Sequence, residues 1–348
     1  MRSHVRRFIL ILLWTAVYGQ HWTPDPYAQV SIGLVWPDGI QRLAAEGYPV
    51  EDGWFDREGN FHLPVPGSAV AQLVAEGWKV MVDIPDLTTY FQERNVPAVQ
   101  REFPLGSLLG NYTLEEALAR MDSLALRYPN LVSPRDSIGA TIENRAIWAF
   151  KVSDNPTQDE DEPEVLYTGL THAREPLGMM NLFYFVQQIC EGYGTDPELT
   201  FLANERELWF IPIVNVDGYV YNQTMFPGGG GMQRKNRRDT GCGPGTERGV
   251  DLNRNFDYDW GGPGSSGYPC DPTFHGDSAF SEPESRAVRD FILAHDFSNV
   301  LHYHAYGNVL IFPFGDGTYP PEPDETTFRE IGAAMTVVNH FPVGTGIE

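Results

Sequence analysis

The chain has 348 residues, enough for about two domains at roughly 150 residues each. A composition of 42% hydrophobic, 13% aromatic and 20% charged residues excludes a chain that is mainly disordered. Its 47 acidic against 24 basic side chains leave a net charge of −23, which repels a phosphate backbone and excludes nucleic acid as the expected partner.

The N-terminus differs from all that follows. Arg2, Arg6 and Arg7 make a basic start, residues 8–17 are apolar except at Thr15, and the small Gly19 closes the run. That order predicts a secretory signal peptide over residues 1–19, and hence a secreted protein, extracellular or periplasmic. A run of this length rises only about 15 Å as a helix, half of a hydrocarbon core of about 30 Å, so no membrane span is expected.

Residues 26–85 read as a small α+β unit. Strand 28–36, helix 39–46, an edge contribution from 49–55, strand 59–65, helix 68–76 and strand 78–84 give the order of a split βαβ sandwich. The polar residues 85–101 read as a linker, with Arg94 and Arg101 open to a protease.

From about residue 106 the pattern is that of a large α/β domain. Thr113 with Glu116 forms a capping box, and apolar residues follow at helical spacing from Leu114 to Tyr128, until Pro129 stops the helix. Residues 146–152 alternate as a strand; residues 165–170 and 208–214 are short apolar runs suited to buried strands, with a helix over 179–190 between them. Gly228 opens a loop that runs to about Ser278, long enough to expect function in it. Ser281 with Glu284 reads as a second capping box for a helix ending near His295, residues 300–304 as a strand, and residues 325–340 as a last helix. Of the three cysteines, Cys242 and Cys270 lie in Gly-rich loop sequence and are the candidate disulfide; Cys190 falls on the apolar side of a helix.

The chemistry begins at Thr171-His172-Ala173-Arg174-Glu175, between a buried strand and a helix. A histidine and a glutamate three apart at a strand exit can both face one metal ion, although the pair alone is common by chance. A catalytic zinc site also needs a third protein ligand and an open position. Val300-Leu301-His302-Tyr303-His304 offers two candidates on one face of a strand, and alternation does not choose between them. For His302 the plainer reading is a satisfied histidine in or near the core. Arg234-Lys235-Asn236-Arg237-Arg238 reads either as a solvated loop or, with Asn253 and Arg254, as a grip for an anionic substrate group, since guanidinium forks match carboxylates.

Over about residues 110–340 these motifs, in this order, resemble the zinc carboxypeptidases of the carboxypeptidase A and T type. The resemblance implies one zinc ion held by His172, Glu175 and His304, the last in His304-Ala305-Tyr306 ahead of Phe312-Pro313-Phe314-Gly315. It implies that Arg174 contacts the substrate backbone, that Arg234 stabilises the oxyanion, and that Asn253 and Arg254 bind the terminal carboxylate. The implied activity is hydrolysis of the C-terminal peptide bond of peptides or proteins by a monomer. The implied fold is a mixed, mostly parallel central sheet with helices on both faces over residues 106–348, behind an inhibitory pro-segment and linker over residues 20–105.

One departure accompanies the match. The family's general-base glutamate, and a tyrosine before it, lie on a stretch nearer the C-terminus, and the sequence ends at Glu348 without one. The expectation is a fragment lacking its last strand and helix; the alternative is an inactive peptide-binding relative. A zinc amidase acting on cell-wall peptides is the rival within enzymes.

Overall fold

The computed structural model describes residues 25–34, 38–94, 103–305 and 307–346. The signal-peptide expectation, Arg101, Tyr306 and Glu348 lie outside them. Within this frame the chain forms two cores joined by a small apolar contact.

The first core belongs to a four-stranded sheet. In chain order come β1 (Tyr27–Gly33), α1 (Gly39–Ala45), a 3-10 turn (Val50–Asp52), β2 (Trp54–Phe55), β3 (Phe61–Pro66), α2 (Gly67–Ala75) and β4 (Lys79–Ile84). The strand order is β2-β3-β1-β4 with every pairing antiparallel, as a split βαβ unit requires. Alternate residues Ala28, Val30 and Ile32 of β1 meet Leu63 and Val65 of β3, Leu43 of α1 and Leu73 of α2, all buried. The stretch read as a plain linker is partly helical: Leu87–Glu93 forms α3, capped by Asp86, whose side chain accepts from Thr89 N. Leu87 packs with Tyr27 and Met232, which joins this unit to the long loop of the second.

The second core surrounds a five-stranded sheet. Its elements are α4 (Leu114–Arg127), β5 (Asp136–Ala140), β6 (Ala146–Val152), β7 (Glu164–Thr168), α5 (Pro176–Gly192), α6 (Pro197–Glu205), β8 (Glu207–Ile211), α7 (Val216–Met225), α8 (Pro283–Leu293) and β9 (Phe297–His302). Beyond them lie β10 (Leu310–Ile311), α9 (Asp324–Met335) and β11 (Val343–Gly344), with β10 and β11 paired in parallel. The main sheet runs β5-β6-β8-β7-β9. The sheet is mixed, as expected, with β5–β6 and β6–β8 antiparallel and β8–β7 and β7–β9 parallel. The parallel part brings the carboxyl ends of β7 and β9 side by side, and loops leaving such ends are where α/β sheets place ligands.

Local signals account for much of this. The Thr113–Glu116 capping box is present in both directions. The second expected box is not: α8 starts with Pro283, Ser281 Oγ donates to Glu282 Oε1, and Glu284 turns inward to accept from Asn236 Nδ2 at 3.2 Å, so neither side chain is left for capping. Elements β5, α6 and α7 carry no clear periodicity and were not expected from the sequence. Cys242 and Cys270 form the expected disulfide, with Cα atoms 5.3 Å apart, and Cys190 is a buried free thiol.

Candidate metal centre and arginine cluster

β7 ends at Thr168, and the chain bends sharply at Leu170, a non-glycine residue with φ 51°. The bend presents Thr171 to Glu175 above the sheet, ahead of α5. β9 ends at His302; Tyr303 N still donates to Thr168 O at 2.8 Å, which carries His304 up beside the same bend.

Three ligand-type atoms meet there. His172 Nδ1 lies 2.7 Å from Glu175 Oε1, His304 Nδ1 lies 2.9 Å from Glu175 Oε2, and the two Nδ1 atoms are 3.1 Å apart. Two imidazole nitrogens and a carboxylate crowd together this way only around a shared proton or a cation. Ligand atoms on a tetrahedral zinc with bonds of about 2.0–2.2 Å stand about 3.3–3.6 Å apart, so the donor set fits that ion with its atoms moved apart by under about 1 Å. Glu51, His172 and Asp251 make a second close group, but both of its carboxylates are engaged by guanidinium groups, which disfavours a cation there. His302, the other histidine of the strand, instead places Nδ1 2.7 Å from Thr168 Oγ1. It is less interior than a core histidine, being exposed beside a cavity of about 110 Å³ that it lines together with His304 and Asn253.

The electrostatics of the centre are strongly coupled. Burial and Arg234 push the His172 imidazole down, yet Glu175 and Asp251 outweigh them and hold it up at about 9. Burial alone would raise Glu175; His172 and His304 reverse that and hold its carboxyl far below the ordinary range.

The basic cluster is not a solvated loop. Arg234, Lys235 and Asn236 are at most 1% exposed. The loop is stapled to the metal-side bend by amides: Asn215 Nδ2 donates to Arg234 O at 3.1 Å, Asn222 Nδ2 donates to Ala173 O and Gln233 O, and Ala173 N donates to Arg234 O at 3.0 Å. Gly249 lets the Asp251 segment pass against this loop, since its φ is 113° and a Cβ there would stand 2.0 Å from Asn236 O.

Sequence reasoning missed three acids that organise the site. Asp251 is fully buried; its Oδ2 accepts from Arg234 Nε and Nη2 at 3.1 and 2.9 Å, and its Oδ1 lies 3.3 Å from His172 Nε2, though not aligned as a hydrogen bond. One carboxylate thus faces both the far nitrogen of His172 and the arginine beside it. Asp52 accepts from Arg234 Nη1 at 2.8 and 2.9 Å and also pairs with Arg174. Glu51 pairs with Arg234 at 2.5 Å and with Arg254. Burial would raise Glu51, but Arg254 and Arg234 hold it down at about 2. Arg254 is further fixed by its Nε donating to Gly264 O at 2.7 Å, whereas Arg174 Nη1 is buried without a partner among the described residues. The arrangement can therefore hold one divalent cation and, a few ångströms away, bind carboxylates. Glu51 and Asp52 escaped notice because a 3-10 turn nearly two hundred residues upstream carries no sequence signal for what it touches.

Residues 117–340 match the family model described as zinc carboxypeptidase. Carboxypeptidase A2 of Mus musculus is 34% identical over 266 residues, 73% of this chain and 60% of that protein. The zinc carboxypeptidase of Saccharothrix mutabilis subsp. capreolus is 33% identical over 67% of this chain and 49% of its own length. The chain thus spans about half the length of the curated relatives it matches. Among solved structures, the carboxypeptidase A of Helicoverpa armigera superposes with a TM-score of 0.75 at 25% identity, covering 94% of this chain and 83% of that one.

Proposed function

The chain belongs to the zinc carboxypeptidase family, and on that premise we propose that it holds one zinc ion at His172, Glu175 and His304 and acts on the C-terminal peptide bond of peptides or proteins. The observation that carries this reading is that all three arginines flanking the metal set already grip carboxylates, those of Glu51 and Asp52.

When bound, zinc supplies a Lewis acid and a water whose pKa is lowered toward ~7. Arg254, with Asn253 beside it, takes the substrate's terminal carboxylate in the place of Glu51. Arg174 and Arg234, freed of Asp52, reach the scissile carbonyl and the backbone before it. Arg234 then stabilises the developing oxyanion, a contribution whose loss typically lowers the rate about 10²- to 10³-fold. Asp251 keeps Arg234 and His172 in a fixed mutual orientation. An internal peptide bond brings no carboxylate and leaves Arg254 desolvated and unpaired, so exopeptidase action follows from the clamp.

Residues 20–105 act, on this reading, as an inhibitory segment that occupies the clamp until it is removed. Residues 1–19 direct export, in keeping with a disulfide, which persists in oxidising compartments. No helix among the described residues is long and apolar enough to cross a membrane.

The test is calorimetry on the zinc-loaded chain carrying Glu51→Ala and Asp52→Ala. N-acetyl amino acids with a free carboxylate are expected to bind, and the corresponding amides are not. Equal binding of acid and amide removes the carboxylate clamp and with it the exopeptidase assignment.

A further inference from the structure

The bend that carries His172 and the segment that carries Arg234 belong to different loops. Among the described residues a single backbone bond joins them directly, Ala173 N donating to Arg234 O at 3.0 Å. One such bond sets a distance without setting an angle.

Helix α7 supplies the rest from one face. Asn215, Gly218 and Asn222 stand at i, i+3 and i+7, positions that a helix brings into one stripe. Asn215 is the N-cap, its Oδ1 accepting from Gly218 N at 3.0 Å, and Asn222 lies about 10 Å further along the axis at 1.5 Å per residue. The two hydrogens of Asn215 Nδ2 go to Thr171 O at 3.3 Å and Arg234 O at 3.1 Å, one on each loop. Those of Asn222 Nδ2 go to Ala173 O at 2.9 Å and Gln233 O at 3.0 Å, again one on each, and its Oδ1 accepts from Gln233 N at 2.9 Å. Gly218 makes room between them, since a Cβ there would stand 2.7 Å from both Ala173 Cβ and Lys235 O.

A helix that merely packed here would present an apolar stripe. This one buries two amides, and burying an amide is unfavourable unless its hydrogen bonds are made, so the four carbonyls must stay where the amides reach them. We propose that Asn215 and Asn222 are positioning residues that hold the His172 bend and the Arg234 segment in one register, so that the ion's site and the guanidinium meet on a single substrate oxygen. This rests on the zinc carboxypeptidase reading above. Asp251 orients the guanidinium itself, and the two amides orient the backbone that carries it. A ligand that uses both loops at once therefore depends on the register, whereas one held at Arg254 and Asn253 alone does not. Misplacement by about 1 Å in such an arrangement costs about 10²-fold.

The experiment uses the zinc-loaded Glu51→Ala/Asp52→Ala chain, zinc kept saturating, and calorimetry with two probes. N-acetylphenylalanine engages the clamp through its carboxylate. A phosphonate with the same terminal residue, its tetrahedral anion in place of the scissile amide, must also reach the ion and Arg234, and is expected to bind at least about 10²-fold more tightly. Asn215→Ser, whose hydroxyl still caps α7, should weaken phosphonate binding roughly ten- to a hundredfold and leave the acid within about twofold. Asn222→Ser, away from the cap, should do the same, so that failure of one variant to fold leaves the other to decide. Equal losses for both probes, or no loss for either, overturn the assignment. A parent chain without the phosphonate advantage instead overturns the shared site of the ion and Arg234, and the register role falls with it.

Discussion

Asp52 accepts two hydrogen bonds from Arg234 Nη1, at 2.8 and 2.9 Å, across 182 residues of sequence. Neither residue is accessible to solvent in this state, with Asp52 5% and Arg234 1% exposed. The guanidinium is also held by Asp251 and Glu51, so it sits at the junction of the two cores. Whatever ligand this arginine serves must first displace the N-terminal unit.

Removing that lock should be measurable directly. Asp52→Ala leaves Arg174 and one face of Arg234 unpaired, and breaking a buried pair in this way typically destabilises by about 3–5 kcal/mol. The expected outcome is faster amide hydrogen exchange over residues 48–56 with little change in β7 and β8. Uniform destabilisation of both cores would show that the pair does not act as a local latch.

Acid should release the same contact. The Glu51 carboxyl is held at about 2 in the fold against an ordinary 4.5. A depressed carboxyl contributes stability that is present above its unfolded pKa and is lost as pH falls through its folded one. Docking of residues 25–94 should therefore weaken between about pH 4.5 and 2. Limited proteolysis across that range checks this, and Glu51→Gln should be insensitive within it.

Zinc binding should depend on all three ligand residues. His172→Ala leaves Glu175 and His304, too few to hold the ion, and elemental analysis after dialysis should find zinc reduced from one equivalent to near none. Asp251→Asn should weaken binding about 10- to 100-fold, because it faces the far nitrogen of His172 without being a ligand.

Glu284 offers a pH test away from the metal. Burial raises its carboxyl to about 7, against stabilising hydrogen bonds including that from Asn236. A raised carboxyl gives stability that is complete below its unfolded pKa of about 4.5 and is lost as pH rises through about 7. Glu284→Gln keeps the shape without the ionisation. It should be near neutral at pH 5 and stabilising at pH 8, by up to about 3 kcal/mol, in denaturant titrations.

The disulfide closes a segment with a sequence separation of 28 residues. Cys242→Ser with Cys270→Ser should lower stability by about 3–4 kcal/mol on loop-entropy grounds. Lys235 Nζ, which donates to Pro269 O and Asp271 O, should then lose its anchorage, read as faster exchange near Arg234.

The sequence by itself determined what depends on near neighbours. The Thr113–Glu116 cap, the alternation of residues 146–152, the βαββαβ order of the first unit and the His172–Glu175 spacing are all readable because helix, strand and cap geometry act over a few residues. Tertiary structure alone decided the rest. Alternation left His302 and His304 equivalent, and only the end of β9 beside β7 sends one to Glu175 and the other to Thr168. It likewise turned the Arg234 cluster inward and brought Glu51 to Arg254, 203 residues away. Such pairings follow from how two cores dock, and no local periodicity encodes which buried charge will answer another.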